Sequence, residues 1–170
     1  TAFKGCENLD VVILNAEEDV TVGGGAFDDC KSVTWKIIDE SESPLNFKVL
    51  TDSTAEVTKG NCVEGSVTIP SKVVIDGKTY SVVRIHDYAF ENCKGLTNIT
   101  IPSSVESIGE SAFVDCTSLT NLELSSSVKT IGVMAFSGCE NLDLVIDNSE
   151  DNVEVRPQAF RNCKSVTWKK

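Results

Sequence analysis

The chain has 170 residues, of which 41% are hydrophobic and 24% charged, a composition that predicts a folded domain rather than a disordered tail. Its formal net charge of −11 argues against nucleic acid and anionic lipid as partners, because both would be repelled. No apolar run reaches membrane-spanning length, so membrane insertion is not expected. The sequence starts at Thr1 without a methionine or a signal peptide, and we expect it to be a piece of a longer or processed protein.

A motif of the form Ala-Phe-x-x-Cys recurs along the chain. It occurs at Ala2–Cys6, Ala26–Cys30, Ala89–Cys93, Ala112–Cys116, Ala135–Cys139 and Ala159–Cys163. Neighbouring copies are 23 or 24 residues apart, except for one interval of 63. A period of this length is typical of leucine-rich repeats, in which each coil buries its apolar residues only by stacking on the next coil.

The first segment duplicates the last. Residues 1–37 match residues 134–170 at a constant offset of 133, with 23 identities in 37 positions. We therefore predict that residues 1–38 are the end of one repeat array and that residues 67–170 form a second array. The native protein is expected to be longer, or duplicated.

Residues 38–88 break the period, and within them we predict a polar linker and a capping β-hairpin over residues 39–66. Phe47–Val49 and Ala55–Val57 alternate as strands around a turn-forming Thr-Asp-Ser segment. Farther along, Asp76-Gly77 predicts a two-residue hairpin turn. Such an insertion is suited to cover the exposed end of the second array, since terminal repeats must shield the core.

Each coil of the second array contains short elements. Ile99–Ile101 and Leu122–Leu124 alternate apolar and polar residues as half-buried strands do. Val105–Ile108 is long enough for a second short strand, and Glu110–Cys116 has room only for a turn or two of α or 3₁₀ helix.

The unit Ile-Pro-x-x-Val-x-x-Ile-Gly-x-x-Ala-Phe-x-x-Cys-x-x-Leu resembles the BspA-type leucine-rich repeat of bacterial surface proteins, common in Bacteroidetes and Firmicutes. The resemblance covers nearly the whole chain except residues 38–62. It implies an α/β, β-rich fold, namely a right-handed leucine-rich-repeat solenoid with coils of about 23 residues. It also implies a secreted or cell-surface protein with a role in adhesion or recognition. Ser125 departs from the pattern where a strand-ending proline is usual.

The periodic cysteines suggest either a structural core, disulfides or a metal site. Equivalent cysteines of stacked coils point the same way into the core, where a free thiol behaves as a small apolar residue. A core role is therefore favoured over disulfides. A zinc site is the least favoured of the three, because the chain has no Cys-x-x-Cys pair and only one histidine. Cys62 lies off the period and is the best candidate for an exposed or reactive thiol, although a buried structural role is favoured.

Catalytic and metal sites have little support. His86 could act as a base oriented by Asp87, but it occupies the turn position held by Gly109 in the next coil, so a surface turn residue is favoured. No nucleophile elbow, phosphate loop or metal-ligand spacing is present, so we expect neither enzymatic activity nor a cofactor. The acidic segments 17–19 and 147–152 could bind calcium, but they lack the ligand order of a calcium loop, and solvated turns are favoured.

The exposed strand positions are the best candidate for a binding site. Asn98, Thr100, Asn121 and Glu123 should form a continuous ladder on one face of the stacked coils. Trp35 and Trp168 are assigned by sequence phase to the positions of Asn98 and Asn121. Outward tryptophans would be strong binding anchors, and the favoured alternative is that they pack over the last coil or a flanking module.

These observations favour a non-catalytic recognition or adhesion scaffold that binds protein or glycan through the strand face. The alternative is a structural spacer that displays another domain and has no ligand of its own. The duplication of residues 1–37 also leaves a swapped or weak dimer open.

Overall fold

Short strands alternate with turns along the chain in this computed structural model, in which residues 10–13, 32–35 and 38–169 are described. The strands are β1 (Asp10–Ile13), β2 (Ser32–Trp35), β3 (Ile38–Asp39), β4 (Asn46–Val49), β5 (Thr54–Thr58), β6 (Gly65–Thr68), β7 (Lys72–Ile75), β8 (Lys78–Ile85), β9 (Leu96–Thr100), β10 (Ser107–Ile108), β11 (Asn121–Leu124), β12 (Thr130–Ile131), β13 (Asp143–Ile146), β14 (Glu154–Val155) and β15 (Ser165–Trp168). Within residues 38–169 the helices are limited to two 3₁₀ turns, Glu40–Glu42 and Glu150–Asn152. The coils of about 23 residues make about five turns of a β-solenoid, as predicted.

One side of the solenoid is a five-stranded parallel sheet in the order β6-β9-β11-β13-β15. Each strand comes from a successive coil, so equivalent residues lie in rows across the sheet. Leu122 pairs with Leu144 on the buried side, and Asn121 pairs with Asp143 on the outward side. The predicted alternation thus places Ile99, Leu122 and Leu124 in the core and the polar residues between them in solvent. Ile101, which follows β9, is half-buried.

A second sheet forms the opposite wall, in the order β14-β12-β10-β8-β5-β4. Its strands β10, β12 and β14 have only two residues each, because the coil turns again at once. Strand β7 pairs antiparallel with β8 through the predicted Asp76-Gly77 turn, in which both residues have positive φ. Strand β3 pairs in parallel with β7 and so ties the linker to this sheet.

The third side is a stack of turns, where the sequence predicted a turn or two of helix. Two positions of each coil adopt the left-handed backbone conformation. The first is the residue before the alanine of the Ala-Phe-x-x-Cys motif, and the second lies two residues after the phenylalanine. The non-glycine examples are Tyr88, Asn92, Ser111, Asp115, Met134, Gln158 and Asn162. This backbone sends alternate N–H groups to the neighbouring coil: Phe90 N–H donates to Ala112 O and Phe113 N–H to Ala135 O, both at 2.7 Å. The cost of the left-handed residues, of order 1 kcal/mol each, is thereby offset by hydrogen bonds between coils.

The core consists of stacked rows of identical side chains. Phe90, Phe113 and Phe136 form a ladder with neighbouring ring centroids 5.1 Å apart, and Phe160 continues it at 6.3 Å. The rings of Phe113 and Phe136 are fully buried. Gly132 allows this close stacking, since a Cβ atom there would lie 2.6 Å from the backbone of Gly109 and Glu110.

The N-terminal end of this array is covered by the predicted hairpin of β4 and β5. Strand β5 pairs in parallel with β8, so the hairpin extends the second sheet beyond the first coil. Leu45, Ala55 and Val57 insert into the core from this segment. The structure therefore confirms the hairpin and its capping role, whereas the boundaries proposed for three segments (1–38, 39–66 and 67–170) remain predictions.

A disulfide joins the capping segment to the first coil, which corrects the sequence analysis. Cys62 and Cys93 are bonded, with their Cα atoms 5.1 Å apart. The expectation that Cys93 is a free core thiol was wrong. Cys62 is exposed, as one alternative stated, but it is a disulfide partner rather than a reactive thiol, and the favoured buried role was wrong. Among the described residues, no helix is long and apolar enough to cross a bilayer.

We expect the disulfide to stabilise the array by about 3–4 kcal/mol, since it closes a 31-residue loop in the unfolded chain. The variant Cys62→Ser should lower the guanidinium midpoint by a corresponding amount, as measured by circular dichroism. Reduction of the wild type should reproduce the effect, whereas the variant should not respond to reductant. Equal midpoints for the oxidised wild type and the variant would contradict this role of the cap.

Candidate functional site

The outward face of the five-stranded sheet carries two rows of mostly polar side chains. The first row is Ser66, Asn98, Asn121, Asp143 and Ser165. The second row is Thr68, Thr100, Glu123, Val145 and Thr167. Adjacent members lie on neighbouring strands, which are about 4.8 Å apart. A shallow groove of about 340 Å³ runs over both rows between β9 and β13.

The structure brings together the four polar residues predicted from the ladder. Asn98 and Asn121 are direct neighbours in the first row, and both are exposed. Thr100 and Glu123 lie two residues farther along the same strands and line the same groove. Their side chains are held by strands whose other face is buried in the core, so the arrangement is fixed by the fold. Whether these four residues bind a ligand remains a prediction.

Trp168 does not share this face. It pairs with Ile146, which pairs with Leu124, so Trp168 belongs to an inward row and packs half-buried against the core. The sequence phase assigned to Trp168 was therefore wrong, and the alternative of packing over the coil is confirmed. The backbone of Trp35 pairs with Ile13, as that of Trp168 pairs with Ile146. The side chain of Trp35 lies outside the described part of the structure.

Trp168 was assigned to the wrong row because the loop between Cys163 and β15 is shorter than the corresponding loops of earlier coils. From Cys116 to the first-row residue Asn121 there are five positions, but from Cys163 to Ser165 there are two. The chain enters β15 three residues earlier, and counting from the cysteine then places Trp168 in the wrong row.

Sequence analysis missed Asp143 and Val145, which line the groove beside the predicted residues. The alternation Asp143-Leu-Val-Ile in β13 was the available signal. Val145 also makes the groove amphipathic, because together with Ile101 it adds an apolar surface to the amides and carboxylates.

Two lysines of the last coil are bound to the carboxylates of this face. Lys164 Nζ donates to Asp143 at 2.6 Å, and Ser165 Oγ donates to the other oxygen at 2.6 Å. These hydrogen bonds hold the pKa of Asp143 below its usual value. Lys169 donates to Glu123, and this hydrogen bond raises the pKa of Lys169.

The cysteines of the later coils form a ladder on the inner side of the turns. Cys116, Cys139 and Cys163 are free thiols, each donating to the phenylalanine carbonyl of the preceding coil at 3.0–3.2 Å. The hydrogen bond with the Cys116 thiol raises the pKa of Cys139, and burial of Cys139 raises it further. Burial raises the pKa of Cys163 to about 11. The core role predicted for these three cysteines is confirmed, and the raised thiol pKa values of Cys139 and Cys163 do not favour nucleophilic chemistry at those two positions.

Cys93 differs because, within residues 38–169, no Ala-Phe-x-x-Cys turn precedes it. Cys116 donates to Phe90 O, one coil back, but Cys93 has the capping segment in that place. Cys62 enters this gap and forms the disulfide. An off-period cysteine ahead of the first periodic one was the sequence signal for this pair.

A buried carboxylate lies beside His86 and was not predicted. Glu56 is 1% exposed, with His86 Nε2 at 3.7 Å and Arg84 Nε at 3.6 Å. His86 Nδ1 contacts the backbone carbonyl of Asp87 at 2.9 Å, whereas the Asp87 carboxylate accepts from Arg84 and from Glu110 N–H. The carboxylate of Asp87 therefore does not orient the imidazole, and His86 serves as a half-buried turn residue that covers Glu56.

The acidic segment 147–152 contains a 3₁₀ turn held by its own amides. Asn148 Nδ2 donates to Ser126 O at 3.1 Å, and Asn148 Oδ1 accepts from Ser149 N–H at 2.9 Å. Across the part of the chain that the structure describes, no group of three or more His, Cys, Asp or Glu residues could hold a metal ion. The other candidate calcium segment, residues 17–19, lies outside the described residues.

The repeating coils are matched by a known family. A family model described as the BspA type leucine rich repeat region matches residues 61–168 in six copies. The chain belongs to the BspA-type leucine-rich-repeat family. This assignment confirms the resemblance drawn from the Ala-Phe-x-x-Cys unit. No curated protein matches the sequence significantly.

Solved structures of other leucine-rich-repeat proteins share this fold. A leucine-rich repeat protein from Bacteroides capillosus ATCC 29799 is 30% identical with a TM-score of 0.65, over 75% of this chain and 96% of that one. One from Bacteroides ovatus ATCC 8483 is 29% identical with a TM-score of 0.56, over 78% of this chain. The match spans only 37% of the B. ovatus chain. The T. pallidum leucine-rich repeat protein, 24% identical with a TM-score of 0.53, shows the fold alone.

We expect Cys163 of this BspA-type chain to react slowly with iodoacetamide in the native state. Because its pKa is about 11, only about one part in a thousand is thiolate at about pH 8. The rate should rise about tenfold per pH unit until the pH approaches that pKa. Mass spectrometry of the Cys163 peptide would measure it, with the guanidinium-unfolded chain as the fast control. Equal native and unfolded rates near pH 8 would contradict the burial of this thiol.

Proposed function

We propose that this chain is a non-catalytic recognition module that binds a protein or glycan through the outward face of the five-stranded sheet. The observation that supports the proposal most directly is the groove over the two rows, with Asn98 and Asn121 adjacent and exposed at its centre. Leucine-rich-repeat families act broadly as protein-interaction or scaffold modules, which agrees with this role.

The chemistry of the face suits macromolecular recognition. Primary amides both donate and accept, so the neighbouring side chains of Asn98 and Asn121 can hydrogen-bond a peptide group or a sugar hydroxyl. Val145 and the exposed edges of the core residues add apolar contact between them. The strands are rigid supports, so little conformational entropy is lost when a ligand binds.

An exported location fits the same proposal. Disulfides form and persist in oxidising compartments, and the Cys62–Cys93 bond fastens the cap on which the array depends. We therefore place the protein outside the cytoplasm, at the cell surface or secreted.

The binding proposal can be tested with the full chain on arrays of host matrix proteins and glycans. For any ligand found, Asn98→Ala and Asn121→Ala should each weaken binding by about tenfold, as expected for central interface residues. Ser107→Ala and Thr130→Ala, on the outward side of the opposite sheet, are the matched controls and should bind normally. Circular dichroism should show unchanged folding in all four variants.

Two outcomes would reject this proposal. Unchanged affinity of the Asn98 and Asn121 variants would place the ligand elsewhere on the solenoid. A complete absence of ligands would favour the alternative of a structural spacer.

The location can be tested on intact source cells by protease treatment and thiol labelling. We expect the protein to be degraded by added protease while cytoplasmic markers survive. Cys62 and Cys93 should be labelled only after reduction, because they are oxidised in the exported protein. Protection from protease together with free Cys62 and Cys93 would indicate a cytoplasmic protein.

A further inference from the structure

The charged side chains that line the groove on the strand face are carboxylates. Its lining residues include Glu123 and Asp143, and no lysine or arginine is among them. Its remaining polar residues, Asn98, Thr100 and Asn121, are neutral. A ligand that is complementary to the groove would therefore carry positive charge and hydrogen-bonding groups.

Both carboxylates of the groove are already bound to ammonium groups from the same chain. Lys164 and Lys169 flank β15 and extend back over the sheet to Asp143 and Glu123. The Lys169 and Glu123 side chains together span two strand spacings, roughly 10 Å, because β13 lies between β15 and β11. Their ion pair thus lies over the outward side of β13, at one end of the groove.

These lysines are not needed to build the sheet. Both ion pairs are solvent-exposed, with Lys169 45% and Glu123 60% exposed. Such pairs contribute little to stability and are weakened further by salt, so an ammonium group from outside can replace the internal one. The sheet is held instead by the β13–β15 backbone pairing and by the buried row that includes Leu144.

From this arrangement we infer that the groove takes a lysine- or arginine-bearing segment of a protein partner, and that Lys169 is an intramolecular competitor for the same carboxylate. The incoming cation binds Glu123 and Asp143, while Asn98 and Asn121 hydrogen-bond the partner's backbone. Release of Lys169 from Glu123 clears the end of the groove as the partner enters.

This inference rests on the proposed function and specifies its ligand chemistry. A neutral or acidic ligand bound at Asn98 and Asn121 would leave the proposed function intact and would overturn the cationic assignment. The two ideas can therefore fail separately.

The test uses the folded full chain and a short fluorescein-labelled peptide of alternating lysine and serine. Its matched controls are the same peptide with every lysine acetylated and a peptide with glutamate in place of lysine. Fluorescence anisotropy should show binding of the lysine peptide alone, weakened by salt. Chemical shift changes should appear at the side-chain amides of Asn98 and Asn121.

Variants separate the groove from the general acidity of the chain. Glu123→Gln with Asp143→Asn should weaken binding at least about tenfold. Glu106→Gln with Glu154→Gln removes the same charge from exposed pairs on the other sheet and should have little effect. Lys169→Gln should strengthen binding by about two- to fivefold, because the competitor is gone.

Equal losses in the two double variants would show that the peptide responds to net charge, which overturns the inference. Weaker or unchanged binding by Lys169→Gln would also overturn the competitor role. Binding of the acetylated peptide as tightly as the lysine peptide would exclude recognition of the ammonium group.

Discussion

Stacking between neighbouring coils is the interaction on which the rest of this structure depends. Within residues 38–169 each coil depends on its neighbours for its core: Phe113 is buried because Phe90 and Phe136 lie against its two faces. The backbone also depends on neighbouring coils, because alternate N–H groups of the turn residues donate hydrogen bonds to carbonyls of the adjacent coil. Each coil must therefore present the same residue types at the same positions, which is why the sequence repeats.

Close stacking of the coils also determines where glycine is required. A Cβ atom on Gly132 would meet the backbone of Gly109, and one on Gly109 would meet the backbone of His86 and Asp87, so each glycine lets its coil approach the preceding one closely at this corner. His86 occupies the same corner of the first coil, where its outer neighbour is the cap rather than another repeat. There it covers the buried carboxylate of Glu56. The difference between His86 and the later glycines thus reflects the position of the coil in the stack.

Much of the fold could be predicted because its determinants are local in sequence. Short segments of sequence are enough to recognise the repeat motif, the strand alternation at Leu122–Leu124 and the Asp76-Gly77 turn. The Cys62–Cys93 disulfide could not be derived in this way, because it depends on which segment lies against the first coil. The row of Trp168 was missed for a related reason: a shortened loop shifts the register of β15, and only the pairing with Ile146 reveals the shift. On the strand face, residue identities gave Asn98 and Asn121, whereas the lysine contacts to Asp143 and Glu123 required three-dimensional structure.

The hydrogen-bonded stack of turns limits how such an array can change its length. Removal of part of a coil would leave unpaired N–H groups on one neighbour and unpaired carbonyls on the other, each costly when buried. Insertions and deletions are therefore tolerated as whole coils or in the loops between strands, as in segment 147–152. Every added coil lengthens the outward face by one strand, about 4.8 Å, and contributes one residue to each row. Under the proposed recognition role, the number of coils sets the length of the strand face that is available to a partner.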